Sequence, residues 1–322
     1  MKASYRFLCL LLALCMLGLL PACSSGELEE LGTPETATAT EEPTKEVKPT
    51  PQKKPFTSVS EGMELDVIIF GGQSNMQGQT GSFPIENDPV EGAWEYHVQS
   101  DYYVPVKHPI GENIGDRLLS AASGNNGSMV PAFCRTFVQE TGHNVAAIHV
   151  ARGNTAIDEW IGTERYTVTI DKIKKGLDKI REKGATIRSI SYVWLQGESD
   201  AIGHMPQAEY EQKLIQLKND LKRDIGLERF GIVQVGYFNR YRSSAEVGLT
   251  EAERAAFDEA IQRAQMNVTT YDSDFVMLST LAPTLYGQNQ YFNPEATGHF
   301  NNKGQDLLGS DAAKTLASIL KD

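Results

Sequence analysis

The sequence predicts an α/β fold, a three-layer α/β/α sandwich around a mainly parallel sheet of five strands. From about residue 60 onwards, short apolar runs alternate with long amphipathic segments. Segments of that length serve as crossover helices, and such crossovers connect parallel strands. The apolar runs are nearly continuous, which is typical of strands that helices cover on both faces.

The five strands are predicted from apolar runs that stop at glycine or polar residues. The first, at 65–70, has the sequence LDVIIF and ends at Gly71-Gly72, as expected of a short buried strand. The others are predicted at 144–150, 187–195, 230–237 and 274–278.

The helices are predicted from apolar residues at helical spacing, and several stop at a glycine that suits a helix C-terminus. Gly142, Gly184 and Gly226 each follow such a segment. The predicted helices are 130–140, 166–183, 207–225, 251–265 and 302–320.

Residues 79–128 do not fit this alternation. They are rich in glycine, asparagine and tyrosine, and we predict a long loop on the substrate side. In parallel α/β sheets the active site collects at the carboxyl ends of the strands.

The first 58 residues are predicted to lie outside the folded domain, which spans 59–322. Residues 1–22 contain two basic residues and then an apolar core of signal-peptide length, too short for a spanning helix. Residues 23–58 are dominated by proline, threonine and glutamate and predict a disordered tether.

The tetrapeptide LPAC ending at Cys23 resembles a bacterial lipobox, in which the cysteine is lipidated after cleavage. A plain signal peptide with an incidental cysteine is the alternative. The sequence therefore predicts an extracytoplasmic, cell-surface bacterial lipoprotein whose only membrane contact is a lipid anchor on Cys23.

Charge and cysteine content narrow the class of protein. The formal net charge is −12, and removing the signal peptide, which holds Lys2, Arg6 and no acid, makes it −14. Such an acidic chain argues against nucleic acid as a partner. Beyond Cys23 only Cys134 remains, so no intramolecular disulfide is available, and its apolar helical surroundings predict a buried structural thiol.

Three short polar blocks follow the first three predicted strands, where α/β chemistry belongs. In GGQSNM at 71–76, a turn directly after a buried strand would hold the Ser74 hydroxyl outward. Helix capping is the alternative role for this serine. In ARGNTAI at 151–157, Gly153 either offers a backbone N–H to an oxyanion or merely ends the strand. The polar residues of WLQGESD at 194–200 are costly to desolvate, which suggests a function.

Taken with GHFNNKGQ at 298–305, these blocks resemble the SGNH hydrolases, in the branch of sialate O-acetylesterases and acetylxylan esterases. The resemblance covers about residues 65–320, with the blocks in the family's order and spacing. It implies an SGNH/flavodoxin-like sheet. It also implies a serine esterase, a carboxylic ester hydrolase of the EC 3.1.1 type, that removes O-acetyl groups from a sugar or polysaccharide.

The resemblance also implies roles for individual residues. Ser74 would attack the acetyl carbonyl, and His299, which among six histidines precedes the terminal helix, would be its base. The oxyanion would be held by the N–H groups of Ser74 and Gly153 and by the amide of Gln196, since an ionised Glu198 can only accept. The substrate-binding candidates are Gln73, Arg152, Asn154 and Trp160. No cofactor is implied, and no cluster in the sequence has metal-ligand spacing.

One position departs from the family pattern. Many members have an aspartate three residues before the histidine, where this chain has Ala296. In a serine protease, loss of the acid that fixes the imidazole tautomer costs about 10⁴-fold in turnover. Three arrangements remain open: Glu198 reaches His299 across the cleft, a backbone carbonyl orients the ring of a Ser-His dyad, or Glu295 turns inward.

Two other classes of function are compatible with the sequence. A lipase-like or thioesterase member of the superfamily would need a long apolar groove, whereas the 79–128 segment is rich in asparagine and tyrosine. A non-catalytic, glycan-binding surface lipoprotein is the alternative outside enzymes.

Overall fold

The structure, a computed structural model, describes residues 58–112 and 126–321. The predicted signal peptide, Cys23, nearly all of the tether and part of the 79–128 segment lie outside the described residues. Within the described ranges, no helix combines the length and the apolar character needed to cross a bilayer.

The described part contains one seven-stranded sheet with the strand order β3-β2-β4-β1-β5-β6-β7. Every neighbouring pair is parallel except β2 and β3, so the predicted mainly parallel sheet is confirmed. The strands are β1 (Glu64–Gly72), β2 (Ala93–His97), β3 (Tyr102–Pro105), β4 (Asn144–His149), β5 (Thr186–Leu195), β6 (Arg229–Val233) and β7 (Phe275–Ser279).

The number of strands differs from the prediction because β2 and β3 lie in the segment predicted to be a loop. The sequence of β2, AWEYH, carries Glu95 among its buried residues, which hides the apolar run. The fold satisfies that carboxylate, whose Oε1 accepts a hydrogen bond from Gly111 N at 2.7 Å. The formation of β2 therefore depends on tertiary contacts and cannot be predicted from the local sequence pattern.

Nine α-helices lie in the described residues. They are α1 (Ser74–Gln77), α2 (Val130–Thr141), α3 (Glu164–Glu182), α4 (Glu198–Ile202), α5 (Gln207–Ile225), α6 (Ser244–Val247), α7 (Glu251–Tyr271), α8 (Leu281–Thr284) and α9 (Asn302–Leu320). The five long helices correspond to the predicted ones, although α7 runs six residues beyond the prediction of 251–265.

The helices cover both faces of the sheet, which confirms the three-layer sandwich. Val67 and Ile69 of β1 belong to a core formed with α3, α5 and α7. Ile68 and Phe70 belong to a second core formed with α2 and α9, which also encloses Cys134. Cys134 is fully buried, as predicted.

The register of the central strands brings the three sequence blocks to one edge of the sheet. Phe70 pairs with His149, and Gly72 pairs with Leu195, so the loops after β1, β4 and β5 start side by side. Gly72 has a φ of +143°, and a Cβ at this position would lie 2.0 Å from the carbonyl oxygen of Leu195. Glycine is therefore required for this close approach of strand ends.

Candidate active site

Ser74 is the first residue of α1, directly after β1. The chain turns here because Gln73 N donates a hydrogen bond to Leu195 O at 3.1 Å, which ties the loop to the neighbouring strand. Ser74 is largely buried and lines a cleft of about 370 Å³ at the carboxyl edge of the sheet.

His299 lies across the cleft from Ser74, on the loop that precedes α9. Its Nε2 is 2.9 Å from Ser74 Oγ, a hydrogen-bonding distance that a general base requires. The loop is fixed by its own backbone, since His299 N donates to Ala296 O at 3.1 Å and Asn293 N donates to His299 O at 2.8 Å. The structure thus brings together the predicted nucleophile and the predicted base.

The surroundings of the His299 ring favour its neutral form. Burial lowers the pKa of His299, and the nearby carbonyls of Ala296 and Thr297 offset this only in part. Those carbonyls favour the protonated ring through their partial negative charge. The ring atom Nδ1 nevertheless makes no hydrogen bond of normal geometry with any residue that the structure describes. Phe238 packs edge-on against the ring, with 5.1 Å between ring centres.

Neither candidate carboxylate is bonded to His299. Glu198 is buried, its Oε1 accepts a hydrogen bond from Asn75 Nδ2 at 2.8 Å, and burial raises its pKa to about 7. Glu295 is exposed on the His299 loop. The imidazole therefore has no carboxylate partner within the described part of the chain.

Asn75, for which the sequence predicts no role, connects the nucleophile loop to the base loop. Its Nδ2 lies 3.5 Å from Gly298 O, and its Oδ1 accepts a hydrogen bond from Phe300 N at 3.2 Å. These contacts hold the residues on both sides of His299. The signal was available in the sequence, because Asn75 directly follows Ser74 in the GQSNM block.

Gly153 lies beside the nucleophile, as predicted. A Cβ on Gly153 would be 3.5 Å from Ser74 Cβ. Its N–H donates to Gln77 Oε1 at 2.6 Å, so an amide carbonyl now occupies the place where an oxyanion would bind. Nothing in the sequence pattern identified Gln77, because the contact depends on the turn of α1.

Gln196 does not lie where an oxyanion donor must be, which corrects the prediction. It is fully buried and does not line the cleft. Its Nε2 donates to Thr155 O at 2.8 Å and to the carboxylate of Asp200, while Oε1 accepts from the Tyr210 hydroxyl at 2.9 Å. The amide is committed to the protein interior and holds the three loops together.

Trp160 does not reach the cleft either, so its predicted contact with substrate is corrected. The side chain is buried against Trp194, with 5.5 Å between ring centres. Its Nε1 donates to Thr155 Oγ1 at 3.1 Å. Trp160 therefore supports the loop after β4.

The remaining substrate-binding candidates do line the cleft. Gln73, Arg152 and Asn154 stand in its wall, where Ile202 and Phe238 are the apolar members. The other polar side chains of the wall are Gln77, Gln79 and Ser199, and no acidic side chain of the described residues lines it. The described residues contain no group of three or more potential metal ligands.

A serine hydroxyl bonded to an imidazole, beside a backbone N–H and at the carboxyl edge of a parallel sheet, is the arrangement of an α/β serine hydrolase. Comparison with known proteins narrows this class. The family of carbohydrate esterases described as sialic acid-specific acetylesterases matches residues 64–318. The chain belongs to this family, and the resemblance to SGNH hydrolases is confirmed.

Individual proteins are similar to this chain in sequence or in fold. A probable carbohydrate esterase of Arabidopsis thaliana is 30% identical over 111 residues, a match spanning 33% of this chain and 40% of that protein. An Arabidopsis thaliana structure covers 79% of this chain and 98% of its own, at 19% identity and a TM-score of 0.56. The NanS structure covers 81% and 98%, at 12% identity and a TM-score of 0.53. Both structures show that the fold is shared.

Proposed function

We propose that this protein hydrolyses O-acetyl esters on carbohydrate through an acetyl-enzyme at Ser74. The observation that carries the proposal is the 2.9 Å contact between Ser74 Oγ and His299 Nε2 in a polar cleft. Membership of a carbohydrate esterase family supports the class of substrate.

The reaction proceeds in two halves on these residues. Ser74 Oγ attacks the acetyl carbon while His299 Nε2 accepts the hydroxyl proton, and the carbonyl electron pair moves onto oxygen. The tetrahedral intermediate collapses, and the C–O bond to the sugar breaks as the imidazolium returns the proton to the leaving oxygen. Water then attacks the acetyl-enzyme by the same proton path and releases acetate.

The orienting group in this proposal is the backbone of the His299 loop, so the pair acts as a Ser-His dyad. Burial lowers the pKa of the His299 ring, and the nearby carbonyls of Ala296 and Thr297 partly offset that lowering. Glu198 supports the loop indirectly through Asn75, which contacts the residues flanking His299. Glu295 takes no part, since it is exposed.

The cleft wall favours a sugar over a fatty acyl chain. Six polar side chains line it beside the serine and the imidazole, against the two apolar residues Ile202 and Phe238. An acyl-chain hydrolase needs a largely apolar site to bury its substrate. The lipase-like and thioesterase alternatives therefore fit this cleft less well than an acetylated sugar does.

The test measures acetate release by residues 58–322 from acetylated xylan, O-acetyl sialic acid, acetylated peptidoglycan and an aryl acetate. Ser74→Ala and His299→Ala should each lower turnover about 10⁴-fold or more, because nucleophile and base act as one unit. Ser318→Ala and His143→Ala repeat the two substitutions away from the cleft and should keep the activity. Ser318 is exposed on α9, and His143 is bonded to Asp66 at the opposite edge of the sheet.

Release of acetate from a glycan, lost in both site variants, supports the proposal and identifies the substrate. Turnover of long-chain acyl esters in preference to all acetates would favour the lipase-like alternative. Glycan binding with no acetate released by the wild type would leave the non-catalytic surface lipoprotein as the better description.

We also propose that the protein is an extracytoplasmic lipoprotein anchored through Cys23. The support is the sequence alone, namely a signal-like segment, the LPAC tetrapeptide and the Pro-, Thr- and Glu-rich segment that follows.

A further inference from the structure

The side-chain amide of Gln73 has only one possible orientation. Its Oε1 accepts a hydrogen bond from Ser199 N at 3.2 Å, and a backbone N–H can only donate. The atom facing Ser199 must therefore be the oxygen, whichever way the amide is drawn. The Gln196 amide makes a second hydrogen bond to the same oxygen at 3.3 Å.

The Gln196 amide is fixed by the opposite argument. Its Nε2 faces the Thr155 carbonyl, which can only accept a hydrogen bond. It also faces the Asp200 carboxylate, which can only accept one while it is ionised. Gln196 therefore points its NH₂ group inward, towards acceptors that already use it. The donor that the family pattern leads one to expect at this strand end is not available to a substrate.

The NH₂ group of Gln73 is in a different situation. Gln73 lines the same cleft as Ser74, Gly153 and His299. Among the residues that the structure describes, no acceptor is hydrogen-bonded to Gln73 Nε2, and this nitrogen is not among the enclosed side-chain atoms that lack a partner. An amide donor next to the nucleophile is thus held in place by its oxygen and left open to the cleft.

We propose that the side-chain NH₂ of Gln73 is the third oxyanion donor of this esterase, beside the N–H groups of Ser74 and Gly153. The inference rests on the proposed function. When Ser74 Oγ bonds to the acetyl carbon, the carbonyl electron pair moves onto oxygen, and Gln73 donates a hydrogen bond to that oxygen without transferring its proton. A fixed donor that needs no rearrangement is the kind that stabilises such charge best.

The experiment compares two variants that remove the donor in different ways. Gln73→Glu keeps an oxygen for Ser199 N and Gln196 Nε2 but has no NH₂ group. Gln73→Met removes the donor without adding charge. We expect both to lower kcat by about 10²–10³-fold with KM changed less than about threefold, because the lost contact exists only in the transition state.

Gln234→Met is the matched control. Gln234 lies just after β6 at the same edge of the sheet, is buried, and donates to Gln262 O at 3.1 Å, but it does not line the cleft. This variant should keep kcat within about threefold of the wild type, and thermal unfolding of all three variants reports any effect on the fold.

Several outcomes would overturn the inference. One is a kcat within about threefold of the wild type for either Gln73 variant. Another is a loss in Gln234→Met as large as in Gln73→Met, since the loss would then belong to the fold. Failure of the proposed function has a different signature, because the wild type itself would then release no acetate, and the inference would fall with it.

Discussion

At the scale of the residue, the distinctive feature is the imidazole of His299, for which the proposed orienting group is the backbone and whose neutral form is favoured by burial. His299 has a carbonyl-rich loop at one side, Phe238 at another, and no carboxylate bonded to it within the described residues. Because burial disfavours the charged form, the ring is neutral and ready to accept a proton over more of the acidic range than a solvated histidine.

This arrangement predicts the pH dependence of kcat/KM. A base works in its neutral form, and the neutral fraction rises with pH through the pKa. Burial lowers the pKa of His299 from its usual 6.5, so the acidic limb should have its midpoint below 6.5 and activity should be level above it. The measurement is the pH profile of acetate release.

Glu198→Gln is the informative variant in the same measurement. If the backbone orients the ring, this variant should keep its activity within about tenfold and the same midpoint. A loss near 10⁴-fold, as when a triad acid is removed, would instead assign the orienting role to Glu198.

Individual residues also show which parts of the site can be predicted from the sequence. The resemblance to SGNH hydrolases implies that Ser74, Gly153 and His299 form one site, and these residues do lie together. Gln196 and Trp160 were placed in the cleft because they belong to the same blocks, yet they point inward. The local sequence is enough to predict where a strand ends. The direction of the side chains that follow depends on tertiary packing, here of Gln196 against Tyr210 and of Trp160 against Trp194.

At the scale of the element, α2 and α9 pack closely against each other, and α9 begins just after the His299 loop. Gly309 of α9 lies against α2, and a Cβ there would be 2.4 Å from Met129 O. The helices that were predicted from apolar spacing alone therefore need glycine at one specific contact. By contrast, the sequence pattern does not reveal β2, because Glu95 breaks its apolar run and finds its partners, Gly111 N and His97, only in the folded structure.

Gly309→Ala should destabilise the protein despite the better helix propensity of alanine, worth about 1 kcal/mol in a free helix. The new methyl group meets backbone, which cannot move without shifting a helix, and overpacking of this kind costs about 1–3 kcal/mol. Urea unfolding would measure the difference. Lys314→Ala, at an exposed position of the same helix, is the control, and a Gly309→Ala protein as stable as the wild type would contradict the packing argument.

At the scale of the whole molecule, an acidic chain carries a cleft whose described wall has Arg152 and no acidic side chain. The folded domain follows a segment whose composition suits a spacer. Composition predicts that division of the chain, since a segment with few apolar residues cannot offset the entropy cost of ordering.

The anchoring proposal is tested with the full chain in a bacterial host that lipidates secreted proteins. The wild type should fractionate with membranes and incorporate labelled fatty acid, whereas Cys23→Ser should lose the label and leave the membrane fraction. Cys15→Ser, inside the predicted apolar core of the signal, should behave as the wild type. Fatty-acid labelling that survives Cys23→Ser would place the modification elsewhere.

The hydrogen bond from Gly153 N to Gln77 Oε1 affects how strongly the site distinguishes the bound ester from the charged tetrahedral intermediate. In the free protein this N–H is already satisfied by a neutral amide oxygen. A ground-state acetyl carbonyl offers the same kind of acceptor, so exchanging one for the other gains little. The charged oxygen of the intermediate makes a hydrogen bond roughly twice as strong and displaces the amide with a net gain. The Gln77 side chain would compete with the ester carbonyl for the Gly153 N–H. The hydrogen bond from Gly153 would therefore stabilise the charged intermediate more than the bound ester, which accelerates the reaction step.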